Sequence, residues 1–162
     1  MLTPSLEDYL EEAYRLSREL RRVRPKDLSL SLNVAMPSVT QALQKLAEAG
    51  LIHYRAYSDV LLTEEGEGVG QYLVHRNEIL RRFLAALDVE CDIAGEVEGM
   101  EHYIAPEVVM GIARLVEFME QAENRAAFAG FAAGEGRLSE PSRFVKTLEG
   151  IKRIRRFGGK AR

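Results

Sequence analysis

Glu98, Glu101 and His102 stand in one short stretch, VEGMEHYIAPE, at spacings of three and four. Positions i, i+3 and i+4 share a helix face, so two carboxylates and one imidazole can close on a single divalent ion. An oxygen-rich set with one nitrogen suits Mn²⁺ or Fe²⁺ better than metals that prefer thiolates. A plainer arrangement uses the same residues: a solvated acidic face, with His102 interacting with the dipole at the helix end. A second acidic pair, Asp8 and Glu11, lies three apart in the opening TPSLEDYLEEAYRL. There too a plainer use exists, with Asp8 complementing the helix N-terminus and Glu11 in water. Carboxylates and a histidine can also hold a metal-bound water for hydrolysis. No further general base or substrate-binding motif accompanies them, and the chain is not read as an enzyme.

The elements that must carry these groups follow from periodicity. Helix 1 starts at Thr3-Pro4-Ser5, where Ser5 and Asp8 have the form of a capping box, and Leu6, Leu10, Ala13 and Leu16 make its buried stripe. In RPKDLSLSLNV, Pro25 opens a short helix and Asn33 sits where the chain must turn, a position suited to left-handed backbone. Pro37-Ser38 then opens an amphipathic helix that closes at Gly50. Val39, Leu43, Leu46 and Ala47 fall on one face, and Thr40, Gln41, Gln44 and Lys45 on the other. By itself this is an ordinary surface helix. After a short helix and a tight turn it becomes the second helix of a helix-turn-helix. LIHYR and VLLTE follow as two short strands with Ala56 to Asp59 as the hairpin tip, which makes a wing. Residues 1–63, with elements from residue 5 on, therefore read as a winged helix-turn-helix DNA-binding domain. Pro37, Ser38, Thr40, Gln41 and Gln44 are its candidates for base edges, and Lys45 and the wing residue Arg55 for phosphates.

Beyond the wing, Thr63-Glu64-Glu65-Gly66 starts a long helix to about Leu87, with Val69, Leu73, Ile79, Leu80, Phe83 and Leu84 on its apolar face. It stops at Asp88. A helix from about Asp92 to Tyr103 carries Glu98, Glu101 and His102, and after Pro106 a further helix runs from Glu107 to about Gln121. Too few strands exist to cover these faces, so helices must cover helices, and a second copy of the chain is the expected mate. The fold class is mostly α: the N-terminal winged helix-turn-helix, then an α-helical metal-binding and dimerisation domain over 64–122. Residues 123–162 read as an Ala/Gly-rich link, beginning as one loose helix, and a basic tail. That tail is either a helix touching DNA or a solvated end. Residues 64–140 hold 6 basic and 16 acidic side chains, and 141–162 hold 8 basic and 1 acidic. The acidic middle cannot face DNA; it must be solvated, paired with a partner subunit or neutralised by cations. One cysteine, Cys91, leaves no intrachain disulfide, and the opening residues lack the pattern of a signal peptide. With no apolar run of membrane-spanning length, a cytoplasmic protein is expected.

TPSLEDYLEEAYRL, VAMPSVTQALQKL, YRAYSDVLLTEEG and VEGMEHYIAPE follow one another in the order of the diphtheria-toxin-repressor family of metal-dependent bacterial regulators. Over roughly residues 3–120 the chain resembles the manganese transport regulator branch most. That resemblance implies Asp8 and Glu11 of helix 1, with Glu98, Glu101 and His102, as ligands of Mn²⁺, Fe²⁺ or a similar ion. The iron branch would show Met at 8 and Cys at 98, and it adds a C-terminal barrel domain for which 162 residues leave no room. The resemblance also implies a homodimer that binds a double-stranded DNA operator when metal ties its helices together, and that represses metal-uptake genes. Asn77 stands where the branch has a histidine ligand. Its amide oxygen is a weaker ligand, so one well-held ion is expected, a second is weak or missing, and a histidine at 77 is expected to restore it. His75 is two residues along the helix and points elsewhere. The same departure leaves open a regulator of this fold whose metal response is lost or changed.

Overall fold

Pro4 has no N–H to donate and a φ already suited to a first turn, so α1 (Pro4–Glu19) takes Thr3 as its N-cap. Thr3 Oγ1 accepts from the Leu6 N–H at 3.4 Å. The expected Ser5–Asp8 capping box therefore does not form: Ser5 is already helical, and Asp8 lies in the second turn, away from the orphan N–H groups. The computed structural model describes residues 2–55, 58–88 and 91–133. The expected hairpin tip at Ala56 and Tyr57, the link after residue 133 and the basic tail lie outside the described residues.

In α2 (Pro25–Ser31) the Asp27 carboxylate accepts from the Arg24 N–H at 2.8 Å, which holds the helix start. Asn33 takes φ 53°, the left-handed turn expected there, and Ser29 Oγ donates to the Val34 carbonyl at 2.7 Å across it. The recognition helix α3 (Met36–Glu48) buries Val39, Ala42, Leu43 and Leu46. Gly50, at φ 75°, releases the chain into the wing. There β1 (Ile52–His53) pairs antiparallel with β2 (Leu61–Leu62), Ile52 opposite Leu62. An antiparallel bridge between Val23 and Val60 adds a third rung that periodicity did not reveal.

Thr63 caps α4 (Glu64–Ala86): its hydroxyl accepts from the Gly66 N–H at 3.0 Å and donates to the Gly50 carbonyl at 2.8 Å. α4 ends before Asp88, which takes φ 53°. Then come α5 (Ile93–Met100), a 3-10 turn at Glu101–Tyr103, α6 (Pro106–Glu120) and α7 (Ala122–Ala133). The expected helix to Tyr103 is thus shorter; its last residues tighten into a 3-10 turn before Pro106, as helix ends commonly do.

Among the described residues, those up to Val116 form one compact unit and those from Glu117 a second. One core runs through the first half of unit 1, built by Tyr9, Leu10 and Ala13 of α1, Leu28 of α2, Val39, Leu43 and Leu46 of α3, Ile52 of the wing and Leu73 of α4. Ile79, Leu80, Val97, Val109 and Val116 are buried further along. α6 also leaves Val108, Met110 and Leu115 exposed. In the second unit Asn124 Nδ2 donates to the Phe118 carbonyl at 2.8 Å.

The start of α4 is pressed onto the backbone of Leu51, in the link between α3 and β1. A Cβ on Gly66 would lie 1.8 Å from the Leu51 carbonyl oxygen, whereas one on Gly68 meets nothing within 4 Å. Gly66→Ala is therefore expected to lower unfolding free energy by about 1–3 kcal/mol or more, and Gly68→Ala to raise it by roughly 0.5–1 kcal/mol. Urea titrations of the two variants check this; a Gly66→Ala protein as stable as the parent would contradict the close approach.

Candidate metal centre and nucleic-acid interface

Because α1 starts at Pro4, its first two turns carry Glu7, Asp8 and Glu11 toward the 3-10 turn after α5. His102, with 7% of its side chain exposed, is held at both ring nitrogens. Nδ1 lies 2.9 Å from Glu7 Oε2 and Nε2 lies 3.3 Å from Asp8 Oδ1. An ionised carboxylate only accepts hydrogen bonds, so the tautomer with its proton on Nδ1 donates to Glu7 and leaves the Nε2 lone pair on the Asp8 side for a metal ion. A carboxylate on the far ring nitrogen is the usual support of a ligating histidine. Glu7 is itself held by Arg76 of α4, whose Nη1 lies 2.9 Å from the same Oε2. Arg76 is 4% exposed, its Nε and Nη2 find no hydrogen-bond partner among the described residues, and its guanidinium lies 6.0 Å from the Tyr72 ring centroid.

One ligand atom from each of Asp8, Glu98 and His102 lies within 4.8 Å of the others. Ligands about 2.0–2.2 Å from a transition-metal ion span little less than that across it, so these residues fit one ion with small adjustments. Glu101 and Glu11 stand beside them. Glu101 is 2% exposed; its Oε1 is 4.0 Å from His102 Nε2, and its Oε2 accepts from Asn77 Nδ2 at 2.9 Å. Glu11 is paired with Arg15, Oε1 to Nη2 at 2.6 Å. Asn77 is thus at the cluster, as its place on α4 suggests, and His75 is not: it lies exposed on another face with Tyr14, Gln71 and Glu78. The expectation that Asn77 offers its oxygen meets a different arrangement, in which Oδ1 accepts from Arg81 Nε at 2.7 Å and the NH₂ faces Glu101. A cavity of about 330 Å³ borders Asp8, Glu11, Asn77, Glu98 and Glu101, and reaches Leu32 and Val34 beside the Asn33 turn.

The electrostatics match crowded acids. Burial pushes the Asp8 carboxyl above its ordinary pKa; His102 opposes this, while Glu98, Glu11 and Glu7 add to it. Burial likewise pushes Glu101 up, against the Asn77 hydrogen bond and with Glu11 adding to the rise. Of the residues expected to meet DNA, Pro37, Ser38, Gln41, Gln44 and Lys45 are exposed on α3, and Arg55 is exposed on the wing. Thr40 is half-buried and donates its hydroxyl to the Met36 carbonyl at 3.0 Å, which leaves its methyl and lone pairs for a groove. Sequence reasoning missed Glu7, Arg76 and Arg81 at the cluster. Arg76 and Arg81 flank Asn77 at −1 and +4, and a basic residue next to a buried stripe was the available signal. It also missed Arg22 and Arg24, which the Val23–Val60 bridge brings to the wing, 3.7 and 3.9 Å from Asp59.

A raised carboxylate pKa means that the folded, metal-free chain bears a charge it disfavours at neutral pH. This penalty is full above the raised pKa and is relieved as pH falls through it. Glu101→Gln removes it and keeps an oxygen for Asn77. The metal-free variant is expected to melt above the parent at pH 7.5, with the gap shrinking toward pH 5. Thermal melts in chelator across that range check the sign; a variant that melts below the parent at pH 7.5 would contradict it.

Residues 1–60 match the iron dependent repressor N-terminal DNA binding domain, and residues 63–126 the iron dependent repressor metal binding and dimerisation domain. The chain is 37% identical over 127 residues to the HTH-type transcriptional regulator MntR of Bacillus pumilus (strain SAFR-032), covering 78% of this chain and 88% of that protein. It is 38% identical over 126 residues to the MntR of Geobacillus thermodenitrificans (strain NG80-2), covering 77% and 89%. In three dimensions it is similar to the manganese regulator SloR, with a TM-score of 0.61 and 26% identity over 72% of this chain and 55% of that one. A protein of Sulfolobus solfataricus, SSo2273, shares the fold at a TM-score of 0.56 and 17% identity. The two matched domains, the span of the relatives and the winged-helix scaffold place the chain in the iron-dependent repressor family, as a dimeric, metal-dependent, DNA-binding transcriptional regulator.

Proposed function

We propose that Asp8, Glu98 and His102, with Glu11 and Glu101 beside them, hold a Mn²⁺-like divalent ion that fixes the reading head for operator binding, with repression of metal-uptake genes as the output. The convergence of ligand atoms from α1 and from the α5 region, within 4.8 Å of one another, carries this reading. The set is rich in oxygen and has one nitrogen, which favours Mn²⁺ or Fe²⁺, and both MntR and the manganese regulator SloR are similar to this chain. When bound, the ion supplies the positive charge that lets four carboxylates stand together. The chain's own residues do the rest. Glu7 and Arg76 orient His102, α1 carries the restraint into the reading head, and Pro37, Ser38, Thr40, Gln41 and Gln44 meet the groove. Lys45 and Arg55 lie toward phosphates. DNA reading divides from metal binding and dimerisation near residue 63, and the exposed Val108, Met110 and Leu115 of α6 belong to the dimer face. Among the described residues no helix is long and apolar enough to cross a membrane, which agrees with a place in the cytoplasm.

Fluorescence anisotropy on a fragment of the protein's own promoter tests this. Mn²⁺ is expected to raise parent affinity, and His102→Ala or Glu98→Ala to abolish that gain while the protein still sediments as a dimer. Gln41→Ala is expected to weaken specific binding by about 1–3 kcal/mol and random DNA hardly at all. A His102→Ala protein that still responds like the parent removes His102 from the ligand set, and equal loss of Gln41→Ala on both DNAs removes base reading.

Glu7→Gln keeps the size of the side chain but weakens the acceptor that fixes the His102 tautomer. Changing the hydrogen-bond partner of a ligating histidine lowers metal affinity by about 10–100-fold, and calorimetric titration with Mn²⁺ is expected to read a loss in that range. Unchanged affinity would show that Glu7 only anchors Arg76.

A further inference from the structure

We propose that Arg81 and Asn77 act as a pair to make the cluster a single-ion site, closing its Glu101 side to a second cation. This rests on the metal reading of Asp8, Glu98 and His102 given above. Arg81 and Asn77 are four apart on α4, on one face. Arg81 Nε donates to Asn77 Oδ1 at 2.7 Å, and Asn77 Nδ2 donates to Glu101 Oε2 at 2.9 Å. An arginine nitrogen only donates and an ionised carboxylate only accepts, so both neighbours dictate the same amide orientation. Turning the amide over would set donor against donor and acceptor against acceptor at residues that are 9% and 2% exposed, Asn77 and Glu101. A second cation approaching Glu101 from α4 thus meets an N–H where it needs a lone pair, with a guanidinium behind it.

The same rule governs an imidazole at position 77. A neutral ring that accepts from Arg81 on one nitrogen carries its proton on the other, and again turns an N–H toward Glu101. Asn77→His is therefore insufficient to build a second site, and Arg81 must be removed as well. Arg81 is the specificity-determining residue, acting through Asn77.

Calorimetric titration of the metal-free full chain with Mn²⁺, at matched pH and salt, separates the outcomes. One ion per chain is expected for the parent and for Asn77→His, and two for Asn77→His/Arg81→Met, in which position 81 has no donor left. A parent or an Asn77→His protein that binds two ions overturns the pairing, as does a double variant that still binds one. Should the double variant fail to fold by circular dichroism, Arg81→Met alone decides. The side chain of Arg81 is solvent-exposed, and its loss frees the Asn77 oxygen, so a weaker second ion is expected; one ion only overturns the proposal. A parent that binds no Mn²⁺ defeats the metal reading itself, a result distinct from each of these.

Discussion

Asp8, Glu11, Glu98 and Glu101 are brought into one corner of the fold, and like charges at such distances repel strongly where water is partly excluded. Most of the neighbouring acids have a private polar partner. Glu7 has buried Arg76, Glu11 has Arg15, and Glu101 has the amide of Asn77. Among the described residues Asp8 and Glu98 share His102, whose other ring nitrogen lies against Glu7. The charge that remains is concentrated at the three groups whose ligand atoms converge. Burial raises the pKa of Asp8 and of Glu101, and the neighbouring acids add to the rise.

α1 turns this local electrostatic problem into a matter for the DNA-binding half. Its inner face, Tyr9, Leu10 and Ala13, is part of the core that packs α3 and the wing. Its other face offers Glu7, Asp8 and Glu11 to the α5 region. A helix locked by close packing cannot move on one face without moving on the other. The cavity beside the acids also reaches Leu32 and Val34, at the turn that leads into the recognition helix. Restraint at the acids is therefore restraint on the residues that set the angle of α3. α4 runs alongside; a Cβ on Gly70 would lie 2.6 Å from Tyr14 Cβ, which shows how closely α4 and α1 approach.

Arg76, Asn77 and Arg81 give α4 an unusual task for a core helix. Burying a cation is costly unless it is paired, yet Arg76 has one carboxylate, an aromatic face and two idle nitrogens. It is tolerated because Glu7, and through it His102, would otherwise lack a fixed position. Arg81 works from the solvent side through Asn77. α4 thereby supplies permanent positive charge and a donor to the acidic cluster proposed above to hold a cation.

The sequence by itself determined the local features. Asn33 and Gly50 take the left-handed turns their types allow, Thr63 caps α4, and apolar spacing places Val39, Leu43 and Leu46 inside while Gln41 and Gln44 stay outside. The spacing of Glu98, Glu101 and His102, and the resemblance it completes, named the corner where acids would gather. Only the tertiary structure decided which groups meet there and with what polarity. Glu7 reaches Arg76 across 69 positions and His102 across 95, and Val23 pairs with Val60 across 37. Periodicity reports which face of a helix is apolar, not which helix that face will meet. The Ser5–Asp8 cap gave way to Thr3 because proline shifts a helix start by a residue or two, a competition settled by backbone geometry. The orientation of the Asn77 amide depended on two neighbours at once, Arg81 on its own helix and Glu101 on another, and no reading of one helix contains both.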